Sequence, residues 1–182
     1  NNYHDMYGHL PPPVVMGPDG KTPHSWRVAI LPLVERQDLY SGYRMDEPWD
    51  SPNNRIVLAQ MPPLFRDPAA DPTSQETTYF ALVGPTTALG DKEGKGTKFQ
   101  EITDGASNTI CIVEAKRAVP WTKPEDIDYD PDQALPKFGG WHAGGFFAGF
   151  CDGSVRFLPD TIDQQMLRNA ITKSGGERVS LP

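Results

Sequence analysis

Apolar and polar positions are most sharply patterned in the last third of the chain. Residues His142 to Phe157 read HAGGFFAGFCDGSVRF, an apolar run broken by Asp152-Gly153. That pair is favoured in a two-residue hairpin turn with positive φ. A hairpin folded there sets Phe150 opposite Val155 and Ala148 opposite Phe157 on one face. Phe147, Gly149 and Cys151 then share the other face with Ser154, Arg156 and Leu158. The first face is wholly apolar, so the pattern predicts it as the core face and the determinant of register. Two further segments read as strands. Thr77 to Val83 (TTYFALV) is β-branched and aromatic, and Thr109 to Ala115 (TICIVEA) is the clearest central strand.

Helical spacing appears at both ends. Tyr3, Met6, Tyr7 and Leu10 recur at three- and four-residue intervals, and Gly8 with Pro11-Pro12-Pro13 ends that pattern. Ser25 is placed to cap a short helix through Trp26, Val28 and Leu31, which Pro32 interrupts. A second helical turn carries Leu39 and Tyr40, and residues 55–61 read as helical or extended. Near the end, Asp160 or Thr161 is expected to cap a helix with the stripe Ile162, Met166, Leu167, Ala170 and Ile171, which Gly175-Gly176 closes. Residues 14–23 read as a loop with a turn at Pro18-Asp19-Gly20. Residues 62–75 read as a Pro/Asp-rich loop and residues 120–140 as a long acidic insertion.

Composition narrows the class. The chain has 182 residues, 37% of them hydrophobic, with 19 Pro and 17 Gly, which suits a single turn-rich domain with a small core. A net charge of −7 argues against a nucleic-acid partner, which calls for a basic stripe. No run approaches the roughly 18 apolar residues of a membrane span. The chain opens at Asn1 rather than Met, so a processed or truncated chain with an upstream targeting segment is expected. Cys111 and Cys151 each fall in a predicted strand, either as two small buried apolar side chains or as an inter-strand disulfide.

Candidate chemistry is sparse. His142 heads the hairpin without an evident set of partners and is expected to bond a turn backbone. An enzyme would need a carboxylate such as Asp104 or Glu114 within hydrogen-bond reach of it. His4, His9 and His24 show no metal-binding spacing. Ser107 and Ser154 lack the context of a hydrolase nucleophile. Asp152 and Asp104, each followed by Gly, read as turn residues. Asp126, Asp128 and Asp130 alternate with Asp132 as calcium ligands can, but the EF-hand pattern fails at Pro131 and Lys137. Trp49 with Asp50, Asn53 and Asn54 is the best candidate for a sugar-binding groove.

Segments along nearly the whole chain resemble one family. They include NNYHDMYGHLPP, SWRVAILPLVERQDLY, DEPWDSPNN, TTYFALVGPTT, ITDGASNTICIVEA and VPWTKPEDIDYD. His142, nine residues, then Asp152-Gly153 matches the prepilin-processing-associated H-X9-DG pattern without a gap. The chain resembles the planctomycete-type DUF1559 proteins, which are pseudopilin-like. The resemblance implies an α+β, type IV pilin-like head, an antiparallel sheet with long loops and a C-terminal helix, on which residues 1–10 pack as the end of a longer N-terminal helix that anchors the protein in the inner membrane. It further implies a non-catalytic subunit of an envelope filament or type II secretion-like apparatus, facing the periplasm or exterior, with other pseudopilin-like subunits as partners. A small-solute or carbohydrate-binding module is the alternative. Similar pseudopilins can hold a loop-bound Ca2+, which keeps Asp126, Asp128 and Asp130 in view. Family members often carry Cys-Pro where Asp67-Pro68 stands here, so no disulfide or metal role is expected at that position.

Overall fold

The hairpin forms, but around three residues rather than two. In the computed structural model, which describes residues 2–176, β6 (Gly145–Phe150) pairs antiparallel with β7 (Val155–Pro159). The Phe150 N–H donates to the Ser154 carbonyl at 2.9 Å, leaving Cys151, Asp152 and Gly153 as the loop. Gly153 takes a φ of 90°, the left-handed position of a three-residue hairpin loop. The register therefore differs by one residue from the pattern's prediction. Gly149 faces Val155, Ala148 faces Arg156, Phe147 faces Phe157 and Phe146 faces Leu158. A one-residue slip turns a strand over. Phe150 and Ala148 keep the core face, but Val155 is 67% exposed and Phe157 40%, while Leu158 is fully buried.

The main sheet has the order β5-β3-β4-β6-β7, with β3 at Tyr79–Val83, β4 at Ile110–Glu114 and β5 at Ile127–Asp128. Both central strands fall where their β-branched and apolar runs predict. The ladder is antiparallel from β3 to β7, whereas β5 pairs parallel with β3, so the sheet is mixed. β5 lies inside the segment read as an acidic insertion. That segment contributes to the core, because Trp121, Ile127 and Tyr129 are buried. The whole is an α+β fold.

Each face of the sheet has its own cover. The helix α5 (Gln164–Ile171) lays Leu167, Ala170 and Ile171 against Phe80, Ile110, Ala148 and Leu158. Its cap is Asp163, whose carboxylate accepts the Met166 N–H at 2.8 Å, two residues beyond Thr161. On the other face Ala81 and Val83 meet Leu10, Trp26, Leu89 and Ile102. The N-terminal third opens with α1 (Asn2–Tyr7), which buries none of its residues. The loop expected at residues 14–23 is a small hairpin of β1 (Val14–Met16) and β2 (Pro23–Ser25). Its turn is held by Asp19, which accepts the Lys21 and Thr22 N–H groups at 2.9 Å. Ser25 caps α2 (Trp26–Ala29) as expected, and α3 (Gln37–Gly42) and α4 (Pro52–Leu58) follow. These helices gather Val28, Leu31, Leu39 and Val57 around Phe65 and Trp121, whose rings stack 5.4 Å apart. Packing of Phe65 and Trp121 fixes the loop that follows Phe65, and that loop carries one wall of the site below.

Cys111 and Cys151 are free thiols. Cys151 is buried and Cys111 half-buried, its Sγ donating to the Gly149 carbonyl at 3.4 Å. A hydrogen bond with Cys111, followed by burial, pushes the Cys151 thiol up.

Candidate functional site

Three segments far apart in sequence converge on His142. The first is the turn after Phe65. There the Asp67 N–H donates to Thr78 Oγ1 at 2.7 Å, and Asp67 Oδ1 accepts the Ala69 N–H at 2.7 Å. These bonds fix the carboxylate and leave Oδ2 to face His142 Nε2 at 2.9 Å. The second segment is the glycine-rich approach to β6. Gly139, Gly140 and Gly144 all adopt positive φ, which lets the chain double back before entering the sheet. Trp141 pins this approach by donating Nε1–H to the Ala115 carbonyl at 3.2 Å. The His142 ring then stands edge-on to Phe147, with centroids 5.1 Å apart.

The third segment is the end of β4. Glu114 is fully buried, paired with Tyr79 on β3. Its Oε2 accepts the Phe147 N–H at 3.0 Å and lies 3.8 Å from His142 Nε2. Its Oε1 is buried with no hydrogen-bond partner among the described residues. One ligand atom each from Asp67, Glu114 and His142 lies within 4.8 Å of the others. Both carboxylates are shielded from solvent, whereas the His142 side chain is 35% exposed. The cluster is thus a buried acidic floor with one solvent-facing imidazole.

The electrostatics follow from that arrangement. The hydrogen bond that His142 donates to Asp67 raises the His142 pKa, aided by the charges of Glu114 and Asp67 against some desolvation. Burial, then the charges of Asp67 and Glu114, raise the pKa of Tyr79 as well.

This corrects one expectation. His142 does have partners, and they are carboxylates rather than a turn backbone. One of them is Asp67, which the sequence did not single out as a partner of His142. Glu114 was named as a partner an enzyme would need, and it is close. Asp104 is elsewhere, its carboxylate accepting the N–H groups of Gly175 and Gly176 at 2.7 and 2.9 Å.

The other sequence candidates have structural partners. Asp152 Oδ1 accepts both the N–H and the hydroxyl of Ser154, so it works in the turn at the far end of β6 from His142. Gly153 supplies the loop's left-handed residue. Asp126 is buried and bound by Arg27, whose Nη2 donates to Oδ1 at 2.6 Å. The same carboxylate accepts the Ala81 N–H and the Trp26 indole N–H. Burial raises the Asp126 pKa, and these donors pull it back. Asp128 instead pairs with exposed Lys92, and Asp130 accepts the Asp132 N–H. A guanidinium therefore sits where Asp126 would need a calcium ion.

Trp49, Asp50, Asn53 and Asn54 are not assembled into one groove. Asn54 is buried and clips the loop before it, accepting the Arg44 N–H and donating to the carbonyls of Arg44, Glu47 and Pro48. Asn53 donates to Glu47. Trp49 lines a separate open cleft of about 600 Å³ with Lys92, Arg117, Lys123 and Asp128. Among the remaining histidines, His4 accepts the Phe99 N–H, His9 bonds the Leu10 carbonyl and His24 is enclosed between Tyr43 and Met45.

A family model described as "Protein of unknown function (DUF1559)", SBP_bac_10, matches residues 1–94 and 116–165. The chain belongs to the DUF1559 family. Asp67 and His142 fall in the matched segments, and Glu114 falls between them. No curated protein and no solved structure proved similar to the chain.

Proposed function

We propose that this chain is the extracytoplasmic head of a pilin-like envelope subunit that acts by assembly and not by catalysis. The observation that supports it most is an open apolar groove of about 340 Å³ beside α1, lined by Tyr3, Leu10, Trp26, Leu33, Ile112 and Phe150. The groove runs from the N-terminal helix to β4 and β6, where Ile112 and Phe150 line it. A helix continuing upstream of α1 would find there an apolar seat, the relation that a pilin-like head has to its anchor. On this reading the partners are like subunits and the inner membrane. No helix among the described residues is long and apolar enough to cross a membrane.

The test is expression of the full-length precursor with and without a prepilin peptidase, followed by mass spectrometry of the mature N-terminus. Peptidase-dependent cleavage just before an apolar helix is the expected result. An uncleaved product, or one released by an ordinary signal peptidase, would sink the reading.

The cleft at Trp49 favours a second reading, an extracytoplasmic solute-binding module. An aromatic face beside Arg117, with Lys92 and Lys123 held in ion pairs by Asp128 and Glu125, suits a sugar that carries a carboxylate. Calorimetric titration with uronic-acid oligosaccharides would separate the two readings, since an assembly subunit shows no heat of binding.

A further inference from the structure

We propose that Asp67, Glu114 and His142 form a binding site for one divalent transition-metal ion of the Zn2+ or Mn2+ class. The first ground is geometric. A tetrahedral ion with bonds of about 2.1 Å holds its ligand atoms roughly 3.4 Å apart. His142 Nε2 lies 2.9 Å from Asp67 Oδ2 and 3.8 Å from Glu114 Oε2, which brackets that spacing. Small side-chain rotations centre an ion between them.

The second ground is independent of the spacing. Glu114 is completely buried, its carboxylate faces the Asp67–His142 pair, and its Oε1 has no partner among the described residues. A buried carboxylate oxygen without a donor is costly. A cation held through Oε2 would offset the charge of the carboxylate to which this oxygen belongs.

The third ground is the way each ligand is held. Asp67 is fixed by bonds to Thr78 Oγ1 and the Ala69 N–H, and Glu114 by the Phe147 N–H. Outer bonds of this kind orient metal ligands. One imidazole and two carboxylates form a mixed N/O set. Such a set suits Zn2+ or Mn2+ better than Ca2+, which takes six to eight oxygens. The exposed side of His142 leaves room for water to complete the coordination. The ion would clasp the turn after Phe65, the end of β4 and the entrance to β6. Because Glu114 lies outside the segments the family model matches, the site is assigned to this chain rather than to the family. The inference stands whether or not the chain is an assembly subunit.

The test uses the chain stripped with a chelator and titrated by calorimetry with ZnCl2, MnCl2 and, as a control, CaCl2. One Zn2+ or Mn2+ per chain is expected. The thermal midpoint should rise with ion concentration and fall back on adding EDTA. His142→Gln and Glu114→Gln should each weaken binding by more than the roughly 10- to 100-fold that loss of an outer-shell partner costs. Co2+ should give a visible absorption band with the parent chain and none with His142→Gln. Since His142 is partly exposed, its variant decides the matter even where the Glu114 variant fails to fold. Three results overturn the proposal: no binding by the parent chain, binding left unchanged by His142→Gln, or preference for Ca2+.

Discussion

Two polar clusters flank the same sheet and are built on opposite logic. At one edge, Arg27 and Asp126 are both fully shielded, and the polar atoms of the pair are met by protein. Arg27 donates to Asp126, to the Tyr79 carbonyl and to Ser25 Oγ, while Asp126 also takes N–H groups from Trp26 and Ala81. At the other cluster, Asp67 and Glu114 place two carboxylates against one imidazole, and a Glu114 oxygen is left over. The first cluster is complete as it stands. The second has more acceptor capacity than the protein supplies donors. Burial alone does not separate the two clusters, because the carboxylates Asp126, Asp67 and Glu114 are all buried. The balance of donors and acceptors does.

The largest expected effect breaks the first cluster. Arg27→Met leaves Asp126 buried without its cation and should cost about 3–5 kcal/mol in urea unfolding. A loss under about 1 kcal/mol would mean that the pair is not the closed unit described. Glu114→Gln should act in the opposite direction in the metal-free chain. The amide keeps an acceptor for the Phe147 N–H and removes a buried charge with one oxygen unpartnered, so stability should rise by about 1 kcal/mol. A marked loss in the presence of chelator would show Glu114 to be as well satisfied as Asp126.

The smallest effect concerns a buried group that is satisfied while neutral. The Met45 carbonyl accepts from His24 Nε2–H, and the Tyr43 hydroxyl faces Nδ1, at 2.9 Å each. Burial lowers the His24 pKa below its ordinary 6.5. The unfolded chain therefore takes up a proton near 6.5 before the folded one does. The stability due to the neutral ring is complete above that pH and declines as pH falls from 6.5 to the folded pKa. Chemical unfolding at pH 8, 6 and 5 should show the decline, and His24→Gln should flatten it. An equal slope in both chains would rule His24 out as its source.

Much of the fold was legible because local rules carry it. The runs at Tyr79–Val83 and Ile110–Glu114 became strands, Ser25 became a cap, and the stripe of Leu167, Ala170 and Ile171 became buried. The register of the last hairpin was not legible. Asp-Gly serves both a two-residue turn and the end of a three-residue loop, and one residue decides which side of β7 is apolar. The two polar clusters were less legible still. Arg27 and Asp126 are 99 residues apart, and Asp67 and His142 are 75 apart. Periodicity reports only near neighbours. A faint signal existed at Glu114, a charged residue between Val113 and Ala115 in an otherwise apolar strand. Arg27, between Trp26 and Val28, carried the same mark.

The Arg27–Asp126 pair has a consequence for how this sheet meets others. Along the outer side of β3, Arg27 binds the Tyr79 carbonyl and Asp126 binds the Ala81 N–H, and β5 then pairs with Leu82 and Val83. Side chains thus finish the row of backbone bonds that a neighbouring strand would otherwise make. At the opposite end of the described sheet, β7 is paired with β6 alone. Among the described strands, a chain adding to this sheet would find five residues of edge at β7 and only the two residues of β5 at the other end.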